Sequence, residues 1–195
     1  MDERFAKQLR FILELDKEKT ILRQTHLTGY KRQEDDAEHA WHMAVMACLL
    51  KEYANEPFDL AKTLLMILLH DVVEIDAGDT YAYDAEAVKS QRQREEKAAD
   101  RIFGLLPEDQ AKEFRALFEE FDKGETPEAR YAHAMDNFQP ILLNDANGGK
   151  DWRVHQVHRQ QVEKRNARTH EGSEKIGQAV QDIIDRNVEK GNLLP

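Results

Sequence analysis

The chain has 195 residues, of which 41% are hydrophobic and 34% charged, and its formal net charge is −10. This size and composition suit a folded protein with a sizeable core and exclude long disordered stretches. The negative charge argues against nucleic acid as a partner, because binding to phosphate backbones depends on clustered Lys and Arg. A small anionic substrate would need local positive charge or a metal ion to approach.

Neither a membrane nor an oxidising compartment is expected. No apolar stretch approaches the ~20 residues that a membrane-spanning helix needs. Residues 1–5 lack the basic segment and the long apolar run of a signal peptide. Cys48 is the only cysteine, which excludes an intrachain disulfide and makes a reducing compartment the default. We therefore expect a cytoplasmic protein.

Apolar residues recur at helical spacing along most of the chain. The helices predicted from this spacing cover about residues 3–16, 37–53, 59–70, 85–105, 108 onward, 127 to beyond 136, 153–168 and 173–189. Asp59 is expected to cap the helix that leads into His70, and Thr126 to cap the helix that begins with Pro127.

The predicted loops lie at about residues 26–34, 77–79 and 147–149, where polar residues and glycines interrupt the apolar spacing. No segment alternates in the manner of a strand, no internal repeat is visible, and no linker is long enough to divide the chain. The sequence therefore predicts one all-α helical domain over residues 1–195. Its site-bearing core is expected over about 21–143, followed by C-terminal helices over about 153–190.

The dipeptide His70-Asp71 is the most informative feature for function. It follows six apolar residues, 64–69, and is therefore expected at the edge of the core. A buried charge without a partner is energetically costly. A bound metal ion is one of the few arrangements that would stabilise such a charge.

Two further polar residues lie among apolar neighbours on other predicted helices. Helices that bury these neighbours would bring four side chains to one edge of the core: His39, His70, Asp71 and Asp136. Two imidazoles and two carboxylates form a mixed nitrogen and oxygen site, which suits Mn, Fe, Co, Ni or Zn better than soft Cu(I).

The ordered pattern of His, His-Asp and Asp resembles that of the HD-domain metal-dependent phosphohydrolases. The surrounding sequences at residues 38–41, 68–74 and 134–140 are also similar to the motifs of that family. The bacterial 5′-deoxynucleotidase-like branch is the most similar subgroup, because its motif continues to a Glu and a Gly-Asp, here Glu74 and Gly78-Asp79. The resemblance covers most of the chain over about 21–143.

The resemblance implies an HD-type helical bundle that holds one divalent metal ion, with Mn, Co, Ni, Fe, Mg and Zn as candidates. It implies that the metal ligands are His39, His70, Asp71 and Asp136. The implied activity is hydrolysis of a (deoxy)nucleoside 5′-monophosphate, or a similar small phosphoester, by a water that the metal activates.

Three other residues receive roles. Glu74 lies three residues after Asp71 and would face the same way if the helix continues, so it is a candidate general base or acid. The resemblance implies that Arg23 binds the phosphate and that Asp79 accepts a hydrogen bond from the sugar. Gln24 stands where characterised deoxynucleotidases carry an aromatic residue that helps to exclude a ribose 2′-hydroxyl, so a preference for deoxyribose does not follow.

Each residue also has a simpler interpretation. These interpretations are a core histidine for His39, a cap or Arg partner for Asp71, a surface acid for Asp136, a solvent-facing acid for Glu74, a turn-stabilising acid for Asp79 and a surface ion pair for Arg23.

Two rival functions are open as well. One is an HD-type phosphodiesterase for a cyclic or dinucleotide substrate, whose two-metal versions need more His ligands. The other is a non-catalytic metal- or nucleotide-binding regulatory module.

The remaining candidates carry less information. His42 is expected to pack beside the site, His133 to lie near it, and Arg32 is a weaker phosphate contact. We expect His155, His158 and His170 to be solvated, whereas His26 is not assigned. Apolar faces such as that of Phe114, Leu117 and Phe121 are available for a homodimer, although burial in the core would explain them equally well.

Overall fold

The computed structural model describes residues 2–195, without the side chains of Ala85 and Val88. Within this range the helices are α1 (Glu3–Leu15), α2 (Asp36–Leu49), α3 (Leu60–Leu69), α4 (Glu74–Ala77), α5 (Ala85–Phe103), α6 (Glu108–Lys123), α7 (Pro127–Ala146), α8 (Lys150–Val154), α9 (Arg159–Arg165), α10 (Thr169–Gly172) and α11 (Glu174–Glu189). Short 3₁₀ helices cover Asp16–Thr20 and Lys51–Tyr53, and two strands are β1 (Leu22–His26) and β2 (Gln33–Asp35). The prediction of a helical fold is confirmed. None of the described helices is long and apolar enough to cross a membrane.

The predicted helix starts are confirmed where a side chain can cap the helix. Asp59 accepts hydrogen bonds from the backbone N–H groups of Ala61 and Lys62. Thr126 Oγ1 accepts one from Ala129, and Pro127 occupies the first position of α7. These bonds satisfy N–H groups that have no partner inside the first helical turn.

The prediction that residues 26–34 form only a loop is wrong. β1 and β2 pair antiparallel, with Leu22 opposite Asp35 and His26 opposite Gln33. The hairpin tip contains Gly29 at φ +81° and Tyr30 at φ +57°. No apolar alternation marks these strands because their buried face is polar: Glu34 is 1% exposed.

The helix predicted over 153–168 is also wrong, because the chain breaks between α8 and α9. The break contains Gln156 at φ +51°, which a continuous helix cannot include. The C-terminal tail pairs with the broken segment, since Leu194 N donates to Val157 O and Leu194 O accepts from Arg159 N. This long-range pairing could not be read from local spacing.

Helix α7 is the centre of the fold and packs against α2, α3, α6, α10 and α11. Its buried residues occupy every side of the helix, including Tyr131, Met135 and Phe138. The face of α6 that was available for a homodimer is instead part of this core, with Leu117 and Phe121 buried and Phe114 packed against them. The packing places α2, the end of α3 and the middle of α7 side by side.

Candidate functional site

Three of the four predicted metal ligands meet where α2, α3 and α7 come together. His39, His70 and Asp136 are all buried, and each offers a ligand atom within 4.8 Å of the others. His39 Nε2 lies 3.2 Å from Asp136 Oδ1, and His70 Nε2 lies 3.9 Å from the same oxygen. The interpretation of Asp136 as a surface acid is therefore wrong.

A chain of buried polar groups orients the imidazole of His39. Gln139 Nε2 donates to Glu34 Oε1 at 2.6 Å, which leaves Gln139 Oε1 to accept from His39 Nδ1 at 2.9 Å. The proton of the neutral ring therefore sits on Nδ1, and the lone pair of Nε2 points toward Asp136. Ligand histidines in metal proteins are fixed in this way by an acceptor on the far nitrogen.

His70 is oriented by the backbone of its own helix. Its Nδ1 donates to Ile67 O at 2.7 Å, so its Nε2 carries the lone pair of the neutral ring. Within the described residues this Nε2 is buried and makes no well-aligned hydrogen bond, although Asp71 Oδ2 lies 3.1 Å from it. An orphaned imidazole nitrogen that faces a carboxylate and a second imidazole suits a divalent metal ion.

Asp71, the fourth predicted ligand, lies beside this cluster and is held by an arginine. Asp71 Oδ2 accepts a hydrogen bond from Arg23 Nη1 at 2.8 Å and lies 3.1 Å from His70 Nε2. Asp71 thus has the Arg partner of the simpler interpretation while facing the same imidazole as Asp136. A ligand set of two imidazoles and two carboxylates fits the surroundings of His70 Nε2.

The buried carboxylates strongly favour a positive charge in the site. Burial alone would lower the pKa of His70, but Asp71 and Asp136 raise it to about 9. Burial would raise the pKa of Asp136, but Arg165 and the two histidines hold it well below its usual value. A divalent cation would supply this charge in place of the imidazolium proton.

Glu74 reaches the site although α3 does not continue as expected. Residues 70–73 form a turn, and Glu74 is the first residue of α4. Its side chain is buried, and Oε2 has no partner in the described structure. Burial, and then the charges of Asp71 and Asp36, raise the pKa of Glu74 well above its usual value. The interpretation as a solvent-facing acid is wrong.

Glu74 is one of three carboxylates that form a second acidic group with Asp36 and Asp79. Their oxygens lie within 4.8 Å of one another, close enough to share a cation. Burial and the charge of Asp71 raise the pKa of Asp36 to about 7. Asp79 follows Gly78, which turns the chain at φ +74°. Burial raises the pKa of Asp79 as well.

Arg23 lies on β1 and contacts both Asp71, beside the histidine cluster, and Asp36 of the second acidic group. Its Nη1 contacts Asp71 at 2.8 Å and Asp36 at 3.3 Å, and only 14% of its side chain is exposed. Burial would lower the pKa of Arg23, but Asp71 and the neighbouring acids raise it. The arginine is therefore ion-paired, as the simpler interpretation had it, but inside the site and not on the surface.

A cavity of about 350 Å³ opens beside these residues. Its wall contains the predicted residues Arg23, Gln24, His70, Asp71, Glu74, Asp79 and Asp136. It also contains aromatic side chains that the sequence did not single out: Tyr81, Tyr83 and Trp152. A volume of this size accepts a small organic molecule.

Among the described residues, the other histidines are not part of the His39, His70 and Asp136 cluster. His133 lines the cavity, but its Nε2 donates to Phe121 O at 2.6 Å. His42 contacts Gln139 Nε2 at 3.1 Å, in the supporting position expected for it. His26 stacks on Tyr30 in the hairpin, with ring centroids 4.0 Å apart. As expected, the exposed histidines include His155, His158 and His170. Arg32 is exposed and pairs with Glu38.

Sequence reasoning missed four residues of this site. Gln139 was recoverable, because it lies three residues after Asp136 and shares its helix face. Glu34 lies on β2, in the segment that was expected to be a loop, and Asp36 is the first residue of α2, just outside the expected loop and helix. Arg165, whose Nη2 donates to Asp136 Oδ2 at 2.8 Å, belongs to a helix whose position depends on the break before α9.

Relatives of this chain include named 5′-deoxynucleotidases. Human 5′-deoxynucleotidase HDDC2 is 32% identical over 112 residues, which make up 57% of this chain and 53% of the human protein. The 5′-deoxynucleotidase hdd1 of Schizosaccharomyces pombe is 27% identical over 133 residues, 63% of this chain and 65% of that protein. The chain spans about half the length of the HDDC2 relatives that it matches.

Two solved structures are similar in fold. A predicted metal-dependent phosphohydrolase from Magnetospirillum magnetotacticum has a TM-score of 0.94 and 47% identity, and the match covers 98% of this chain and 96% of that one. An HD-domain phosphohydrolase from Listeria innocua has a TM-score of 0.59 and 19% identity. That match covers 73% of this chain and 70% of the other, and the similarity is one of fold alone. Residues 15–177 match the HD domain family. With this match over most of its length, the chain belongs to the HD domain family.

Proposed function

We propose that this protein is a metal-dependent phosphohydrolase that removes the phosphate from nucleoside 5′-monophosphates. The observation that carries the proposal is Glu74: a buried, unpartnered carboxyl with a raised pKa on the cavity wall beside the His39, His70 and Asp136 cluster. A binding module has no need for such an acid. The names of the relatives support the same reaction class.

The proposed metal ligands are His39, His70, Asp71 and Asp136. When bound there, a divalent ion would draw charge from a phosphoryl oxygen and lower the pKa of a water molecule. Mn, Co, Ni, Fe and Zn suit this set because they accept imidazole nitrogen as well as carboxylate oxygen, whereas Mg, the remaining candidate, would rely on the two carboxylates.

Glu74 is proposed to handle the proton. In its ionised form, a carboxyl with a raised pKa is a stronger base toward the attacking water at Oε2 than an ordinary glutamate is, and once protonated it can give that proton to the leaving oxygen. The neighbouring charges of Asp71 and Asp36 maintain this property. Asp71 contributes to catalysis both as a ligand and through its charge on Glu74.

Arg23 and Asp79 are proposed to hold the two ends of the phosphate–sugar unit. Arg23 offers a planar set of N–H donors to the phosphate, as guanidinium groups commonly do. Asp79 accepts a hydrogen bond from a sugar hydroxyl. Tyr81, Tyr83 and Trp152 add aromatic surface to the same cavity, on which a nucleobase can stack.

The finer features of the substrate and setting stay predictions. Gln24 lines the cavity, so Gln24→Trp tests the choice between ribose and deoxyribose. We expect this substitution to reduce activity on ribonucleotides selectively.

A cytoplasmic location is a prediction from the single Cys48. A homodimer also stays a prediction, although the α6 face considered for it is core.

The experiment is turnover by the metal-loaded protein on a panel of nucleoside monophosphates, with metal content measured for each variant. We expect Glu74→Gln to lower kcat by about 10²- to 10⁴-fold, the usual contribution of general acid–base catalysis, while the bound metal stays unchanged. Asp76→Asn is the matched control, because Asp76 lies on the same helix, exposed and paired with Arg101. Metal binding without turnover in the wild type would favour the regulatory module instead.

A further inference from the structure

Arg165 occupies the cavity wall from the C-terminal helices, at the end of α9. Its Nη2 donates to Asp136 Oδ2 at 2.8 Å, and the side chain is 46% exposed. It lines the same cavity as Glu74 and Arg23. A guanidinium has five N–H donors, and Asp136 is its only hydrogen-bond or ion-pair partner among residues 2–195.

Arg165 and Arg23 hold equivalent positions around His70. Arg23 binds Asp71, whose Oδ2 lies 3.1 Å from His70 Nε2, and Arg165 binds Asp136, whose Oδ1 lies 3.9 Å from the same nitrogen. Each guanidinium is thus one carboxylate away from the orphaned imidazole nitrogen. Both arginines and His70 line one cavity, so a group bound next to His70 Nε2 would share that cavity with both guanidiniums.

The two arginines differ in the donors they have free. Arg23 is 14% exposed and shares its Nη1 between Asp71 and Asp36. Arg165 has a single carboxylate partner and nearly half of its side chain is open. Arg165 therefore has more capacity to bind an incoming anion.

The rest of the cavity wall would repel an anion. Its described lining includes seven carboxylates: Asp71, Glu74, Glu95, Asp79, Asp122, Asp136 and Asp151. Arg23 and Arg165 are the only Arg or Lys side chains in that lining. A phosphate that carries up to two negative charges thus has two fixed cations available in this wall, and one of them is Arg165.

We propose that Arg165 is a second phosphate-binding residue, which donates to the nonbridging phosphate oxygens across the site from Arg23. The proposal rests on the proposed function for its substrate, but it concerns phosphate binding and can be measured without turnover. Its alternative is a purely structural role, in which Arg165 only holds Asp136 in place for the metal.

The test compares Arg165→Met and Arg165→Lys in the metal-loaded protein. Titration calorimetry measures the binding of inorganic phosphate and, separately, of the metal ion to metal-free protein. We expect Arg165→Met to weaken phosphate binding by about 10- to 100-fold, the value of a charge-assisted bidentate contact, and Arg165→Lys to restore part of it. The phosphate titrations are run at saturating metal, because loss of the bond to Asp136 should also lower metal affinity, by up to about 10- to 100-fold.

Activity gives a second readout where turnover is present. KM for nucleoside monophosphates should rise with the loss of phosphate affinity, whereas inhibition by the free nucleoside should not change. Arg159→Met is the matched control, because Arg159 is on the same helix, is similarly exposed and pairs with Glu163 and Asp185. We expect that control to bind phosphate as the wild type does.

The outcomes separate the proposal from the proposed function. If Arg165→Met binds phosphate as tightly as the wild type, or loses metal affinity instead, Arg165 is not a phosphate-binding residue. If the wild type hydrolyses no nucleoside monophosphate but Arg165→Met still weakens phosphate binding, the proposed substrate is wrong and the role of Arg165 stands. A loss of equal size in Arg159→Met would also overturn it.

Discussion

At the scale of single residues, the position of His39 depends on a side chain that never touches the cavity. Gln139 is fully buried and joins His39 Nδ1 to Glu34 through both ends of its amide. Its Nε2 must donate to a carboxylate, so its Oε1 is available for the imidazole. This arrangement makes His39 Nε2 the ring nitrogen that faces Asp136.

We expect Gln139→Leu to lower metal affinity by about 10- to 100-fold, the range seen when a hydrogen-bond partner of a metal ligand is removed. The substitution leaves His39 Nδ1 without its nearest acceptor and Glu34 Oε1 without its donor. Competition with a chelator for Co²⁺ measures the affinity, and urea unfolding checks that the variant is folded.

Glu34→Gln is the control for Gln139→Leu. A glutamine at position 34 still offers Oε1 to Gln139 Nε2, so the orientation of His39 is preserved and metal affinity should stay within about threefold. Equal affinities in the wild type and a folded Gln139→Leu would show that His39 needs no such support.

The residue types of the site were predictable because metal and proton chemistry restrict them. The sequence predicts His39, His70, Asp71 and Asp136 as candidate ligands from their order and their apolar neighbours. It does not predict Arg165, because the place of this residue beside Asp136 depends on how the chain folds back after α8. Local spacing carries no signal for a contact of that kind.

At the scale of elements, helix starts were predicted better than interruptions. Asp59 and Thr126 cap helices through bonds within three residues, so the sequence contains the whole interaction. The hairpin and the break before α9 depend on partners far along the chain, such as the Val157–Leu194 pairing. Their polar or irregular segments look like loop or helix when considered alone.

The close approach of α10 to α7 gives a prediction at this scale. A Cβ on Gly172 would overlap the carbonyl oxygen of Arg130 and lie 2.9 Å from Tyr131 Cα, both in the backbone of α7. We expect Gly172→Ala to lower the free energy of unfolding by about 2 kcal/mol or more, because neither backbone can yield. Urea unfolding measures the change.

His170→Ala is the control for Gly172→Ala. His170 lies on the same short helix with an exposed side chain, so its truncation should change the free energy of unfolding by no more than about 0.5 kcal/mol. A Gly172→Ala protein as stable as this control would mean that α10 can move away from α7 without loss.

At the scale of the whole molecule, several elements bring like charges to one place. Glu18 comes from the 3₁₀ helix, Asp36 from α2 and Asp71 from the turn after α3, and Arg23 neutralises only part of their charge. Burial, and then the charges of Asp71 and Asp36, raise the pKa of Glu18 to about 8. The metal-free fold therefore keeps this carboxyl protonated at neutral pH.

This raised pKa makes stability depend on pH in a definite direction. In the unfolded chain Glu18 releases its proton near its ordinary value of 4.5, whereas the folded protein holds it to about pH 8. Unfolding then releases a proton between these values, so the associated stability is complete below pH 4.5 and is lost as the pH rises through 8. Glu18→Gln removes this dependence, because the amide has no proton to lose.

We therefore expect the stability of metal-free Glu18→Gln, relative to the wild type, to rise from pH 5 to pH 8 by an amount on the order of 3 to 4 kcal/mol. Urea unfolding at the two pH values in the presence of a chelator measures the gain. Saturating metal should reduce this gain, because a cation beside Asp71 offsets the charge that opposes ionisation of Glu18.

Glu14→Gln is the contrasting control. Lys17 holds the pKa of Glu14 below its usual value, so this variant should lose stability at pH 8. A wild type and a Glu18→Gln variant with parallel pH profiles would mean that Glu18 ionises in the fold as it does in the unfolded chain.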